Sequence, residues 1–369
     1  MVGVDLARAV AIAGMMAVHV LPATAVGAAG VLYDLADGRA SGLFGVLAGV
    51  SLGLATRRTA PSGQARAAAR TGIAVRGLLV ALLGLVLVSA GSRIAIILPY
   101  YGLAFVLVLP VLWWPARRLA VLAGAWLVAG PLLGAWLRAA LELAPTYRQP
   151  TLLDLLAPVE LLRTLLLTGY YPVLGWTGYL LLGLAVARAG LGGARAALRL
   201  LGTGLVLAAG AWLASALLLG PGGGLARLAA LGAAPGTPAW TFHGTVPTSS
   251  PWFLAVAEPH SGTPLDLLHT SGTALLVLGA ALLLPAAATR FLAPLAAFGS
   301  MPLSVYTGHV LALAARPGDT AGLWALHVLV GVLLAGAWRA ALGRGPLEGV
   351  LSGAARGAAA MVDPEPARR

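Results

Sequence analysis

The chain has 369 residues, 59% of them hydrophobic and only 10% charged, with a mean hydropathy of +0.91. Soluble domains run at about 45–50% apolar and about 25% charged, so a water-soluble enzyme, a nucleic-acid-binding protein and a disordered chain are excluded together. The basic residues are 24 Arg and no Lys against 12 acids, a formal charge of +12. In so apolar a chain that excess reads as loop charge orienting the protein in a lipid bilayer, not as a nucleic-acid surface. With no Cys there is no disulfide and no thiolate metal site.

A helix crossing a hydrocarbon core of about 30 Å needs roughly 20 apolar residues. Ten segments meet that length: 4–28, 38–56, 72–90, 94–114, 119–137, 165–187, 200–219, 267–288, 291–314 and 321–342. The expected fold class is therefore all-α, a polytopic integral membrane protein with about 10 transmembrane helices. Residues 1–345 read as a single membrane domain and 346–369 as a cytoplasmic tail.

Arginine sorts by connection. Arg57, Arg58, Arg66 and Arg70 follow span two with Arg76 just inside span three, Arg117 and Arg118 follow span four, Arg188, Arg195 and Arg199 follow span six and Arg290 follows span eight, and with Arg8 and the five C-terminal arginines 17 of the 24 fall on one side. This predicts both termini in the cytoplasm. The Ala-, Gly-, Leu- and Arg-rich composition fits a GC-rich bacterial genome, and hence the inner membrane.

Two outer connections are long. Residues 138–164 carry mixed charge and read as an interfacial helix or hairpin; residues 220–266 hold Trp240, His243, Trp252 and His260. Long loops tend to be functional, so a substrate is expected on the outer face. Ala23-Thr24-Ala25 resembles a signal-peptidase site, but the segment before it is not basic, and the mature N-terminus is expected at or near residue 1.

An ionisable group within a span is costly enough to suggest function, and span one holds Asp5, Arg8 and His19. At 100° per residue Arg8 and His19 differ by about 20° and Asp5 and His19 by about 40°, so the three share a face. A rise of roughly 16 Å separates Arg8, at the cytoplasmic boundary, from His19, near or beyond the midplane. Asp5 and Arg8 fit either an i, i+3 ion pair or a chemical role, and His19 either a packed core histidine or a base.

All six His fall toward the outer side. His309 is expected within about 4–5 Å of His19 in depth, so that the two imidazoles bracket one reacting group. His327 and His269 lie near the outer ends of their spans. No two His stand at i, i+4, and His269 with Asp266 is the one helical His with a carboxylate at such spacing, so no metal is expected. Tyr100, Tyr101, Tyr170, Tyr171 and Trp176 gather on the outer side, either as an interfacial belt or as a stacking surface for a sugar ring. Gly45, Gly49 and Gly53 form a GxxxGxxxG face that predicts close helix packing.

The opening Asp5-Leu6-Ala7-Arg8, ten apolar residues and His19 has the form D-x-x-R-x10-H. It resembles the first membrane helix of the transmembrane acyltransferase superfamily, in its heparan-alpha-glucosaminide N-acetyltransferase-like or YeiB-like branch. The similarity continues at GRASGLFGVLAGVS (38–51), Tyr100-Tyr101-Gly102, SGTP (261–264) with DLLHTSGTALLVLG, GSMPLSVYTGH (299–309) and RGPLE (344–348). Members of the heparan branch carry a histidine just before the second helix, and residues 29–38 contain none.

The resemblance implies a multi-span enzyme that takes an acyl group, acetyl in the first instance, from cytoplasmic acyl-CoA to a carbohydrate-like acceptor on the far side. It carries over His19 as catalytic histidine with Asp5 and Arg8 as partners. Polyanionic CoA calls for guanidinium groups, and Arg8, Arg57, Arg58, Arg117 and Arg118 are the candidates, although positive-inside topology alone accounts for such a cluster. His309, His327, Tyr100, Tyr101 and Trp176 are the candidate acceptor-binding residues, and a homo-oligomer is compatible with the sequence. The competing functions are a transporter or flippase with an intramembrane His relay, and a non-catalytic scaffold. No GxxxxGK[ST] loop supports an ATP-driven pump.

Overall fold

Backbone groups in hydrocarbon have no water to bond, and an α-helix satisfies them within one segment. The computed structural model describes residues 1–57, 63–91, 93–146 and 148–363, and among these there is no β-strand. The helices are α1 (Val2–Val20), α2 (Gly27–Ala36), α3 (Arg39–Ala55), α4 (Gly63–Ser89), α5 (Leu98–Leu107), α6 (Ala116–Ala140), α7 (Pro158–Arg163) and α8 (Val173–Ala189). They continue with α9 (Ala194–Leu219), α10 (Gly224–Ala229), α11 (Pro264–Leu283), α12 (Ala286–Phe291), α13 (Ala293–Ser300), α14 (Pro302–Ala315), α15 (Ala321–Leu342) and α16 (Pro346–Val362).

Six of these, α1, α4, α6, α9, α11 and α15, are long and apolar enough to cross a membrane. Two bent pairs, α2 with α3 at 40° and Pro158–Thr168 with α8 at 62°, raise the number to eight. The expected spans four and nine coincide with shorter helices, α5 of 10 residues and α14 of 14.

Proline shortens or breaks several of the expected spans, because it forces the residue before it out of the helical region. Span one stops at Val20, with Leu21 extended before Pro22. Span nine breaks at Met301, φ −121° and ψ 50°, ahead of Pro302. Span six breaks ahead of Pro172, after a π-helical turn at Thr164–Thr168.

Helix α1 lies at the centre, packed against α2, α3, α11, α13 and α15. Its inward residues Ala7, Ala9, Ala11 and Ala17 are fully buried. By contrast only 6% of the α15 span is covered by protein, and its exposed Leu326, Leu329, Leu333 and Leu334 form an apolar face suited to lipid. Trp324 pins α15 to α1 by donating its indole N–H to the Ala13 carbonyl at 3.0 Å.

The glycine face of α3 meets α8 as its spacing predicts. A Cβ on Gly49 would sit 2.1 Å from the Leu180 carbonyl oxygen, and one on Gly183 of α8 would sit 1.9 Å from that of Val46. Both obstacles are backbone, so the helices would have to separate. Gly49→Ala is expected to destabilise the fold by about 1–3 kcal/mol, read as a lower melting temperature in detergent. Gly124→Ala, where nothing lies within 4 Å, is the control expected to melt as the parent does.

Residues 346–362 of the C-terminal segment form α16, which packs along α4. Its Glu348 carboxylate accepts from the backbone N–H groups of Leu303 at 2.8 Å and Ser304 at 3.2 Å, and from Ser304 Oγ at 2.5 Å. It thereby caps the N-terminus of α14, where exposed N–H groups and the helix dipole favour an anion. Of the long connections, 138–164 contains α7 and a 3-10 turn at Leu152–Leu156 closed by a Thr151–Asp154 capping box. Residues 220–263 fold around their own small core of Leu228, Phe242, Val246, Phe253 and Val256.

Candidate active site

Two cavities lie along α1, one toward each end. The larger, about 280 Å³, is lined by His19, Arg93, Tyr171, His243, His260 and Tyr306 among others. The smaller, about 90 Å³, is lined by Arg8, Ser51, Arg76, Tyr101 and Tyr306. Tyr306, on α14 and 2% exposed, belongs to both walls.

At the arginine end, Arg8 Nη1 donates to Asp5 Oδ1 at 2.6 Å and Nη2 donates to Ser51 Oγ at 2.8 Å. The i, i+3 pair read from the sequence therefore forms, and its second arm ties α1 to α3. Gly299 of α13 lets that helix cross closely here, since a Cβ would sit 1.8 Å from the Asp5 carbonyl oxygen. Arg76 of α4 faces the same cavity, with Glu348 acting on both guanidinium groups. Arg57, Arg117 and Arg118 are exposed and outside this lining; Arg58 lies outside the described residues.

At the other end three histidines form a chain. His19 Nδ1 is 3.2 Å from His309 Nε2, and His309 Nδ1 is 2.7 Å from His327 Nδ1. The His19 and His309 rings stack at 5.3 Å between centroids, so they touch and leave no gap for a substrate group to be bracketed. His309, 4% exposed, is enclosed between its two neighbours. With His327 it lines an apolar groove of about 680 Å³ between α14 and α15, which His19 does not line.

The long connection supplies a further group to the cavity that His19 lines. His260 Nε2 lies 3.1 Å from Asp37 Oδ1 at the end of α2. The backbone of His260 is left-handed, φ 58°, and its carbonyl accepts from Gly244 N–H at 2.6 Å. Next to it, Asp266 Oδ2 accepts from Gly262 N–H at 2.9 Å. Burial alone would lower the His260 pKa, but the hydrogen bond and charge of Asp37, with the charge of Asp266, outweigh it and raise it above the usual histidine value. His243 goes the other way, lowered by burial and by the charge of His260.

The remaining aromatic candidates are occupied within the protein. Tyr100, 1% exposed, accepts the Tyr170 backbone N–H at 3.2 Å. Trp176 packs edge-on against Tyr171 and Tyr179. Tyr101 donates to the Ser41 carbonyl at 3.2 Å and borders the arginine-side cavity. None of the three lines the cavity that holds His19; Tyr170 and Tyr171 do. His269 bonds the Ala208 carbonyl at 3.0 Å and joins α11 to α9.

Sequence alone does not single out Asp37, Arg76 or Tyr306. Asp37 and Tyr306 stand beside or within segments whose pattern is distinctive, Gly38-Arg39 and GSMPLSVYTGH, and that was the available signal. Among the described residues no group of three His, Cys, Asp or Glu side chains is placed to hold a metal ion.

The family model of the heparan-alpha-glucosaminide N-acetyltransferase catalytic domain matches residues 1–216. That is more than half of the 369 residues, and the chain belongs to this family of membrane acetyltransferases. No curated protein and no solved structure matches it. The matched segment contains Asp5, Arg8, His19, Asp37 and Arg76, whereas His260, Tyr306, His309 and His327 come from beyond it.

Proposed function

We propose that the protein transfers an acetyl group from acyl-CoA on the cytoplasmic side to a carbohydrate-like acceptor on the outer side, with His19 as the base. The observation that carries this reading is the pair of cavities on α1: Arg8 and Arg76 line one, His19, His243 and His260 line the other with Arg93, and Tyr306 lines both.

In this account Arg8 and Arg76 receive the anionic donor. The arginine-side cavity, about 90 Å³, is smaller than the 280 Å³ cavity at His19. The thioester arm reaches His19 past Tyr306, which lines both cavities. His19 Nδ1–H donates to His309 Nε2 and His309 Nδ1–H donates to His327 Nδ1, the tautomers that leave a lone pair on His19 Nε2. A base so oriented suits removal of a proton from an attacking hydroxyl or amine. His309 and His327 then position His19 and do not touch the acceptor.

Purified protein should release CoA thiol from acetyl-CoA on addition of glucosamine, with acetylated product in equal amount. Thiol release without product, or neither, would contradict transfer. The orientation is tested separately: a reporter active only outside the cytoplasm should be on when fused after residue 250 and off after residue 65. The opposite pattern would reverse the sides of donor and acceptor.

A further inference from the structure

The long connection brings His260 to the cavity that His19 also lines, where it meets Asp37 at the end of α2, and the proposed chemistry leaves that pair without a role. A carboxylate bonded to one imidazole nitrogen fixes the ring and favours its protonated form. Asp37 does this at His260 Nε2, 3.1 Å away. Among the described residues Nδ1 makes no hydrogen bond, and the ring lines the cavity with 23% of the side chain accessible. A non-glycine residue at φ 58° holds a conformation that costs about 1–3 kcal/mol and persists where the surroundings impose it. Here the Gly244 N–H bond to the His260 carbonyl imposes it.

We propose that His260, held by Asp37, is a catalytic residue: an imidazolium whose Nδ1–H meets the thioester carbonyl oxygen and stabilises the negative charge formed there during transfer. The inference rests on the acyl-transfer reading above. As the acceptor oxygen or nitrogen bonds to the carbonyl carbon, its proton passes to His19 Nε2 and the carbonyl electron pair moves onto oxygen, facing His260. The pair then returns, the C–S bond breaks with its electrons on sulfur, and the sulfur takes the proton from His19. Acyl acceptor and CoA thiol leave, and both histidines return to their starting states. A fixed cation in a site shielded from water stabilises such an oxyanion far more than water does.

The division between a neutral base and a cationic partner follows from environment. The titratable and charged groups around His260 are Asp37, Asp266, His19 and His243, with Arg93, Tyr170, Tyr171 and Tyr306 lining the same cavity and Arg39 acting on Asp266. The two carboxylates favour the charged ring.

The test is steady-state acetyl transfer from acetyl-CoA to glucosamine by the purified full-length protein across pH 5.5–9.5. The parent rate should fall at high pH as His260 loses its proton. Asp37→Asn removes the charge that holds that proton and should move the basic limb to lower pH by about one unit or more. His260→Gln should lower kcat by about 10²–10³-fold and abolish the limb, with the KM for acetyl-CoA little changed. A merely structural His260 would give variants that lose rate equally at every pH, with the limb in place, and that outcome overturns the proposal while leaving acyl transfer intact. A parent protein that transfers no acetyl group overturns the functional reading itself, and this inference with it.

Discussion

Replacing His19 by alanine is expected to lower acetyl transfer by about 10²–10⁴-fold, the usual contribution of a positioned general base, or about 3–5 kcal/mol of barrier at 1.36 kcal/mol per tenfold. Binding of acetyl-CoA, measured by calorimetry on the same preparation, should change little, because Arg8 lies at the other end of α1 and faces a different cavity. Full transfer by a stable His19→Ala protein would remove His19 from the mechanism. His309→Ala separates two roles for the second histidine. If His309 aims His19 through the 3.2 Å contact, kcat falls by up to about 10²-fold, the scale of a small misplacement, and the acceptor KM holds. A raised acceptor KM with kcat unchanged would instead place His309 in contact with the acceptor, as its depth in the sequence suggests.

The second large effect is expected at Arg8. Loss of a charge-assisted contact to a phosphate costs about 1–3 kcal/mol, so Arg8→Ala should weaken acetyl-CoA binding by roughly fivefold to 150-fold. The change also removes the guanidinium that the Asp5 carboxylate now bonds at 2.6 Å. Arg8→Lys keeps the charge but not the fork that reaches Asp5 and Ser51 together, and should fall between the two. Unchanged affinity in a folded Arg8→Ala protein would mean that the group serves only to tie Asp5 and α3 to α1.

Much of the first helix was legible because its geometry is local. Three residues fixed on one face by 100° per residue gave the Asp5–Arg8 pair and the separation of Arg8 from His19, and the glycine spacing in α3 gave its contact with α8. The shared depth of His19 and His309 was also legible from helix rise, although not that their rings touch. What escaped depends on breaks and on chain distance. Pro22, Pro172 and Pro302 interrupt apolar runs that hydropathy alone reads as continuous. The contact of His260 with Asp37 spans 223 positions, through a connection whose fold no periodicity encodes. Tyr306 resembles any interfacial tyrosine in sequence, and only the paired cavities reveal where it stands.

The most direct measurement uses proteoliposomes in which the protein has a single orientation, with labelled acetyl-CoA confined to the side of the N-terminus and glucosamine to the other. Labelled acetyl-glucosamine should accumulate on the glucosamine side, at a rate lost in His19→Ala. Product that forms only when donor and acceptor share one side would contradict transfer across the bilayer through the two cavities on α1.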